Sequence, residues 1–127
     1  MNTKQKKIDL MKRWIAALRS GEYKQGTGNL YRDCKYCCLG VLCDISPSFR
    51  KGEEGFFSRN NRHFMEYLPK SLSKPLGLDS RDSKGNSVQH RLIDMNDGGV
   101  FERTNRKSFK QIASYIEKNI LPILEQE

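Results

Sequence analysis

The sequence predicts a mainly helical fold in one domain, residues 1–127, with about four helices, long loops and room for a small β-hairpin. Three observations lead to this prediction. A length of 127 residues is typical of a single domain. One long apolar run, residues 36–45, can supply the centre of a core. The segments on both sides of it repeat apolar residues with helical spacing, and no internal repeat or linker divides the chain.

The apolar run has two periodicities that predict different structures. One set of residues has the i, i+3, i+4, i+7 spacing of a helix: Cys38, Val41, Leu42 and Ile45. Another set alternates as in a strand: Cys37, Leu39, Val41, Cys43 and Ile45. We interpret the run as a buried helix in which Gly40 allows the first helix to approach closely. Pro47 sets its end, because the residue before a proline avoids the α region.

Four further segments complete the predicted fold. Residues 4–19 form an amphipathic helix that ends at Ser20-Gly21, and residues 88–95 form a second one. The sequence Ser108-Phe109-Lys110-Gln111 is a capping box that begins a helix running to about Ile120, before Pro122 disrupts it. A short helical segment is expected between two prolines, Pro69 and Pro75. Residues 48–64 are interpreted as mostly loop, and a hairpin is allowed in residues 22–36 or 84–105.

The positive net charge of the chain favours an anionic partner. The net charge of +8 is uneven: residues 1–33 hold eight bases and three acids, and residues 58–92 hold seven bases and three acids. Such a field attracts nucleic acid, nucleotides or acidic proteins, although basic faces also serve solubility alone. Charged residues interrupt the N-terminal segment where a secretory signal needs an apolar stretch, and no run approaches the ~20 apolar residues of a membrane span. We therefore expect a cytoplasmic protein that does not enter a membrane.

The four cysteines could in principle hold a metal ion. They are Cys34, Cys37, Cys38 and Cys43, and thiolates at such spacing can share zinc or an iron–sulfur cluster. Structural zinc sites usually bring a second Cys or His pair from a dozen or more residues away, which this chain lacks. Buried thiols filling space are the favoured interpretation, and no cofactor is predicted. His90 and Asp94 are interpreted as a surface contact within one helix rather than as a catalytic pair.

Two basic segments have the composition of an anion-binding site. Arg103, Arg106 and Lys107 precede the helix N-terminus at Ser108, where free amides and the helix dipole attract phosphate. The second segment alternates aromatic rings with basic groups, so that bases could stack and phosphates could pair: it contains Phe57, Arg59, Arg62 and His63. In both segments the alternative is that the apolar residues pack inward under a basic surface.

A glycine-containing loop, Gly26-Thr27-Gly28-Asn29, has a thinner similarity to a phosphate-binding loop. It lacks the third glycine of a dinucleotide fingerprint and the Gly-Lys-Ser/Thr ending of a P-loop. We therefore interpret it as a flexible turn.

A succession of motifs covers most of the chain: residues 14–23, residues 36–44, Leu68-Pro69, residues 76–78, Met95-Asn96-Asp97 and residues 108–117. The most specific part is the Cys-Cys-Leu-Gly-Val-Leu-Cys-Asp core motif of residues 37–44. The succession resembles a family of small proteins of tailed bacteriophages and prophages. Residues 100–106 depart from the pattern and look like an insertion, which includes Arg103 and Arg106.

The resemblance implies a context rather than a reaction. Small basic phage proteins often act on host machinery, and one class counters bacterial immunity by sequestering nucleotide second messengers. The resulting hypothesis is a non-enzymatic protein that binds a cyclic-nucleotide or ADP-ribose-derived signal tightly and stoichiometrically, within a homo-oligomer. Two alternatives stay open: a basic nucleic-acid-binding or host-regulatory module, and a small thiolate zinc protein.

Overall fold

Helix α2 (Cys38–Ile45) forms the centre of the core, as the apolar run predicts. The computed structural model describes residues 3–98 and 106–126. The other helices are α1 (Thr3–Arg19), α3 (Lys70–Ser73), α4 (Val88–Asp97), α5 (Phe109–Asn119) and α6 (Leu121–Gln126). The strands are β1 (Tyr31–Arg32), β2 (Lys35–Tyr36), β3 (Phe49–Lys51), β4 (Phe56–Ser58) and β5 (His63–Phe64). The prediction of a mainly helical fold with some β-structure is confirmed, but the described residues contain more helices than the four expected.

The helical interpretation of the apolar run is confirmed, and burial explains why its pattern is ambiguous. Residues Cys38 to Cys43 are all buried, so the helix has no solvated face to mark its period over this length. The indole Nε1 of Trp14 donates to the carbonyl of Cys38 at 2.8 Å, which fastens α1 to the start of α2. Ser46 has an extended backbone (φ −88°, ψ 123°) and ends the helix before Pro47, as expected.

Gly40 does permit a close approach, but the prediction that the approaching element is the first helix is wrong. A Cβ atom at this position would overlap the carbonyl oxygen of Leu30, which precedes β1. The amide of Cys37 donates to the same carbonyl at 3.2 Å. A contact between a helical glycine and the backbone of a loop residue leaves no periodic signal in the sequence, so it could not be predicted from the pattern.

A small hairpin lies within residues 22–36, one of the two places where the sequence allows one. Strands β1 and β2 pair antiparallel, with Tyr31 opposite Tyr36. Asp33 (φ 53°) and Cys34 (φ 64°) form the two-residue turn, and positive φ at both central positions is the geometry of a type I′ turn. In the other allowed place, residues 84–105, the described part contains α4.

The interpretation of residues 48–64 as mostly loop misses a three-stranded sheet, whose strands take up eight of these 17 residues. Strands β3, β4 and β5 form an antiparallel sheet in the order β3-β4-β5. Each strand has only two or three residues, too few for alternation to stand out from chance. Gly55 (φ 70°) and Asn61 (φ 61°) supply the positive φ values at the two turns.

The C-terminal helices follow the predicted capping. The hydroxyl of Ser108 accepts from the Gln111 amide at 3.2 Å and the Gln111 side chain accepts from the Ser108 amide at 2.9 Å. Helix α5 ends at Asn119 as expected, but Pro122 does not stop helical structure. It lies in the first turn of α6, where a missing amide hydrogen costs no helical bond. In the described residues no helix is both long and apolar enough to span a bilayer.

Candidate functional site

A surface cleft of about 280 Å³ lies between the Gly26–Asn29 loop, the β1–β2 hairpin and the segment that leads into α5. We call it the glycine-loop cleft. Its described lining residues are Gln25, Gly26, Thr27, Asn29, Arg32, Asp33, Lys35 and Arg106. The lining therefore carries three bases and one acid, and it joins residues that are up to about 80 positions apart in the sequence.

The floor of the cleft is fixed by one buried amide, Asn96, which is fully buried. Its Oδ1 accepts from the Cys38 amide at 3.1 Å and from Gln25 Nε2 at 3.0 Å. Its Nδ2 donates to the Gly26 carbonyl and to Asp97 Oδ1, both at 2.8 Å. The side chain thus joins the start of α2, the end of α4 and the glycine loop, and all of its hydrogen-bonding capacity is used.

The glycine loop has two amides engaged and two available. The Gly26 amide donates to the Tyr36 carbonyl at 2.7 Å, and the Gly28 amide donates to Asp97 Oδ2 at 3.3 Å. The amide of Thr27, which lies between these two, and the amide of Asn29, which follows them, have no hydrogen-bond partner within residues 3–98 and 106–126. Gly28 has φ 82°, which gives the loop a tight turn. Glycine adopts this conformation without the steric strain that a side chain would cause. Unpartnered amides on a loop held from behind are the groups with which a protein backbone binds phosphate.

The three basic side chains at the cleft have different degrees of freedom. Arg106 Nε donates to the Asn96 carbonyl at 3.1 Å, so the stem of its guanidinium group is fixed at the end of α4. Arg32 is shared between Asp33 at 3.7 Å and Glu54 at 3.6 Å. Lys35 has no ion-pair partner in the described part of the chain. A ligand anion would therefore meet a fixed cation at Arg106 and an unpaired one at Lys35. It could also replace the carboxylate partners of Arg32.

The first predicted site is brought to the cleft only in part. Arg106 lines it, and Lys107 is held next to it because its carbonyl accepts from Gln25 Nε2 at 2.9 Å. Ser108 uses both its amide and its hydroxyl within the capping box, so neither is free for a ligand in this structure. Arg103 lies outside the described residues.

The second predicted site is a separate surface on the β3–β5 sheet. Phe57 stacks on His63 with ring centroids 4.5 Å apart, and the Arg50 guanidinium lies 4.5 Å from the Phe57 centroid. Because β4 is the middle strand, these two neighbours come from opposite sides and cover both faces of the Phe57 ring. Arg59 and Arg62 lie exposed in the β4–β5 turn. None of the predicted residues on this sheet lines the glycine-loop cleft.

The cysteines are free thiols with contrasting environments. Burial raises the pKa of Cys37 to about 12 and raises the pKa of Cys38 and Cys43 well above the usual value for a thiol. Cys34 is exposed in the β1–β2 turn. Within the described ranges, no three His, Cys, Asp or Glu residues are grouped in a way that could hold a metal ion. The arrangement fits the space-filling interpretation of the buried thiols.

His90 and Asp94 form an exposed contact within α4, with Nε2 and Oδ2 3.5 Å apart. Neither residue lines the glycine-loop cleft. The pair is the surface contact that the sequence suggested.

A second, smaller cavity of about 170 Å³ shares one lining residue, Asn29, with the cleft. Its other described lining residues are Gly28, Cys37, Glu66, Tyr67, Ile93 and Asp97. It contains two carboxylates and no basic side chain among these residues. Glu66 has no hydrogen-bond or ion-pair partner in the described residues, whereas Asp97 is engaged by Asn96 and Gly28.

Sequence reasoning missed most of the cleft. Gln25, Arg32 and Lys35 are not part of any motif, and Asn96 and Asp97 appear in the sequence analysis only within the Met95-Asn96-Asp97 motif. The one available signal was the Gly26–Asn29 loop, whose similarity to a phosphate-binding loop was judged too thin. Its support comes from Asn96, some 70 residues away, and such a contact is invisible in a single sequence.

The fold and site define a small, mainly helical domain that carries a basic cleft built around a pinned glycine loop. The sequence matches a family described as a domain of unknown function, DUF8296, over residues 4–120, and the chain belongs to that family. No curated protein and no solved structure matches the chain.

Proposed function

We propose that the protein binds a small anionic nucleotide in the glycine-loop cleft and sequesters it without changing it chemically. The observation that carries this proposal is the convergence of Arg32, Lys35 and Arg106 with the unpartnered amides of Thr27 and Asn29. Guanidinium groups, ammonium groups and loop amides are the usual partners of phosphate oxygens.

The cleft has the size and rigidity that this role needs. A volume of about 280 Å³ corresponds to roughly nine water molecules at about 30 Å³ each, which suits a phosphate with its sugar. Because Asn96 already holds the loop, little conformational entropy is lost when a ligand binds, and pre-organisation of this kind favours affinity.

The groups at the cleft favour binding over catalysis. Among the described lining residues the one carboxylate, Asp33, is paired with Arg32, and the remaining polar groups are hydrogen-bond donors, amides and a threonine hydroxyl. A general acid–base mechanism needs a titratable group poised at the reacting atoms. Sequestration needs only donors and positive charge.

The biological setting belongs to the same proposal. The resemblance to phage proteins implies that the ligand is a cyclic-nucleotide or ADP-ribose-derived immune signal of the bacterial host. We propose that the protein acts in the host cytoplasm as a homo-oligomer that lowers the concentration of free signal.

A thermal-shift screen tests the proposal. Purified protein is heated with cyclic dinucleotides, cyclic trinucleotides, ADP-ribose derivatives and mononucleotides; a ligand at 100 times its dissociation constant adds about 2.7 kcal/mol to the free energy of unfolding. Arg106→Ala should reduce this stabilisation to about 1.4 kcal/mol at the same ligand concentration, because the expected tenfold loss of affinity leaves the ligand at about 10 times its dissociation constant. Arg13→Ala removes the same charge from the exposed surface of α1 and should leave the shift intact.

Chromatography of the bound ligand separates sequestration from catalysis. Recovery of unaltered ligand supports the proposal, and recovery of a hydrolysed product refutes the non-enzymatic part. Native mass spectrometry of the complex counts subunits and ligands, and a ligand-bound monomer would refute the homo-oligomer.

Nucleic-acid binding is a second candidate, supported by the β4–β5 turn. Arg59 and Arg62 are exposed there without side-chain partners in the described residues, beside His63, whose ring is covered by Phe57 on one side. Such a surface would contact the phosphate backbone, and affinity would fall steeply with salt. A double Arg59→Ala, Arg62→Ala variant that keeps full oligonucleotide affinity would refute this candidate.

A further inference from the structure

The cavity beside the glycine-loop cleft indicates which part of a nucleotide faces it. The two spaces meet at Asn29 but differ in charge: the cleft carries three bases and one acid, and the cavity carries two carboxylates and no base among its described lining residues. A phosphate would be repelled from the cavity and attracted to the cleft. A ligand that spans Asn29 must therefore place an uncharged, donor-bearing group in the cavity.

The shape and lining of the cavity suit a nucleobase. Its volume of about 170 Å³ corresponds to roughly five or six water molecules, enough for one ring system. Tyr67 supplies an aromatic ring, and 56% of its surface is exposed, so the ring is accessible for stacking. Ile93 adds an apolar wall on α4.

The carboxylate of Glu66 determines which base fits. Both of its oxygens are hydrogen-bond acceptors, and neither is engaged in the described part of the chain. A guanine edge presents two adjacent donors, the ring N1–H and the exocyclic N2 amine, which match a carboxylate in a bidentate arrangement. An adenine edge presents one amine next to an acceptor nitrogen, so a carboxylate would pair with one atom and repel the other.

We propose that the cavity lined by Glu66, Tyr67 and Asp97 selects the guanine base of the nucleotide whose phosphate occupies the glycine-loop cleft. This inference rests on the proposed function and adds the identity of the base. Among the proposed signals it favours cyclic nucleotides that contain guanine over ADP-ribose derivatives, which carry adenine. Glu66 accepts from the guanine edge, Tyr67 stacks on the ring, and Asp97 continues to hold the Gly28 amide. The ligand class is therefore guanine nucleotides.

Isothermal titration of the full chain with guanosine, inosine and adenosine 5′-monophosphates tests the inference. We expect GMP to bind at least tenfold more tightly than AMP, with IMP between them because it keeps N1–H but lacks the amine. In Glu66→Gln the GMP and AMP affinities should converge to within about twofold. Glu53→Gln removes the same charge from an exposed position outside the cavity and should keep the preference.

The variants separate failure of this inference from failure of the proposed function. Arg106→Ala should lower the affinities for GMP and for AMP about tenfold each and leave the ratio of the two affinities unchanged. Equal affinities for GMP and AMP in the native protein, combined with that loss in Arg106→Ala, would overturn the guanine assignment and leave the cleft intact. Nucleotide affinities unchanged by Arg106→Ala, or no nucleotide binding at all, would overturn both. A GMP preference that survives Glu66→Gln would overturn the role of Glu66.

Discussion

The glycine-loop cleft and the β4–β5 turn are both basic, but they are held in different ways. In the cleft, Asn96 connects segments about 70 residues apart and fixes both the loop and the backbone that Arg106 contacts. In the turn, Arg59 and Arg62 are neighbours in sequence and project from a short hairpin without partners in the described residues. The ring of Phe57, on the middle strand of that sheet, is already covered on both faces by His63 and Arg50.

From this difference we expect a run of basic and aromatic residues to be a weaker indicator of a ligand site than a loop held by a buried polar contact. Exposed arginines lose side-chain entropy when a ligand orders them, and salt screens their charge. A loop held by a buried side-chain amide whose hydrogen bonds are all made loses much less conformational entropy on binding, because its geometry is set before the ligand binds. We therefore expect changes at the cleft to have larger effects on ligand binding than equal changes at the turn.

The largest effect is expected for Asn96→Ala. It removes four hydrogen bonds from a fully buried position and leaves buried partners unsatisfied, at about 1–3 kcal/mol for each group that water cannot reach. We expect the free energy of unfolding to fall by about 3–4 kcal/mol and ligand binding to be lost. Urea denaturation measures the first and titration the second. Asn60→Ala, an exposed asparagine in the β4–β5 turn, should change stability by less than about 0.5 kcal/mol; equal losses would mean that Asn96 has no special role.

The next effect concerns pH, because two of the three buried thiols, Cys37 and Cys38, lie at the start of α2, where the Cys38 amide donates to Asn96. Burial raises the folded-state pKa of Cys37, Cys38 and Cys43 above the unfolded value of about 8.5. Below the unfolded-state pKa, the neutral thiols therefore contribute fully to the free energy of unfolding. This contribution is lost as the pH rises from the unfolded-state pKa towards the folded-state pKa values. Between pH 8 and pH 9 we expect a loss of about 2 kcal/mol from the three thiols together.

Urea midpoints at pH 7, 8 and 9 measure this loss. Cys43→Ala should reduce the pH dependence by about a third, since one of the three thiols is removed. A midpoint that stays constant up to pH 9 would contradict the burial of the thiols.

A smaller effect, on nucleotide affinity, is expected when one positive charge is removed from the cleft. Arg106→Ala removes a guanidinium group that can pair with phosphate, and nucleotide affinity should fall about tenfold, or about 1.4 kcal/mol. Titration at two salt concentrations measures it, with Arg13→Ala as the matched control. An affinity that falls equally in both variants would show that net charge alone attracts the ligand.

The smallest effect is expected at the turn. The double variant Arg59→Ala, Arg62→Ala should change nucleotide affinity by less than about twofold, because screened charges outside the cleft contribute little. The same titration measures it. A tenfold loss would reverse the comparison and move the site to the sheet.

The sequence predicted the elements that have a long or well-capped pattern. Helix α1 has an uninterrupted amphipathic stripe, and α5 begins at a capping box whose two hydrogen bonds are both present. Strands β3 to β5 were missed because two or three residues cannot establish a period. The cleft was missed for a different reason: only Arg106 among its lining residues belongs to a predicted site, and tertiary contacts through Asn96 bring the others to it.

NMR titration can locate a nucleotide bound at the glycine loop residue by residue. In ¹⁵N-labelled protein titrated with GMP, we expect chemical-shift changes at the amides of Gly26, Thr27, Gly28 and Asn29 and at Arg106 Nε. The amides of Gly52 and Gly55, on the β3–β4 turn, should stay unchanged and serve as an internal control. Changes confined to residues 56–64, or no changes at saturating nucleotide, would contradict binding at the glycine loop.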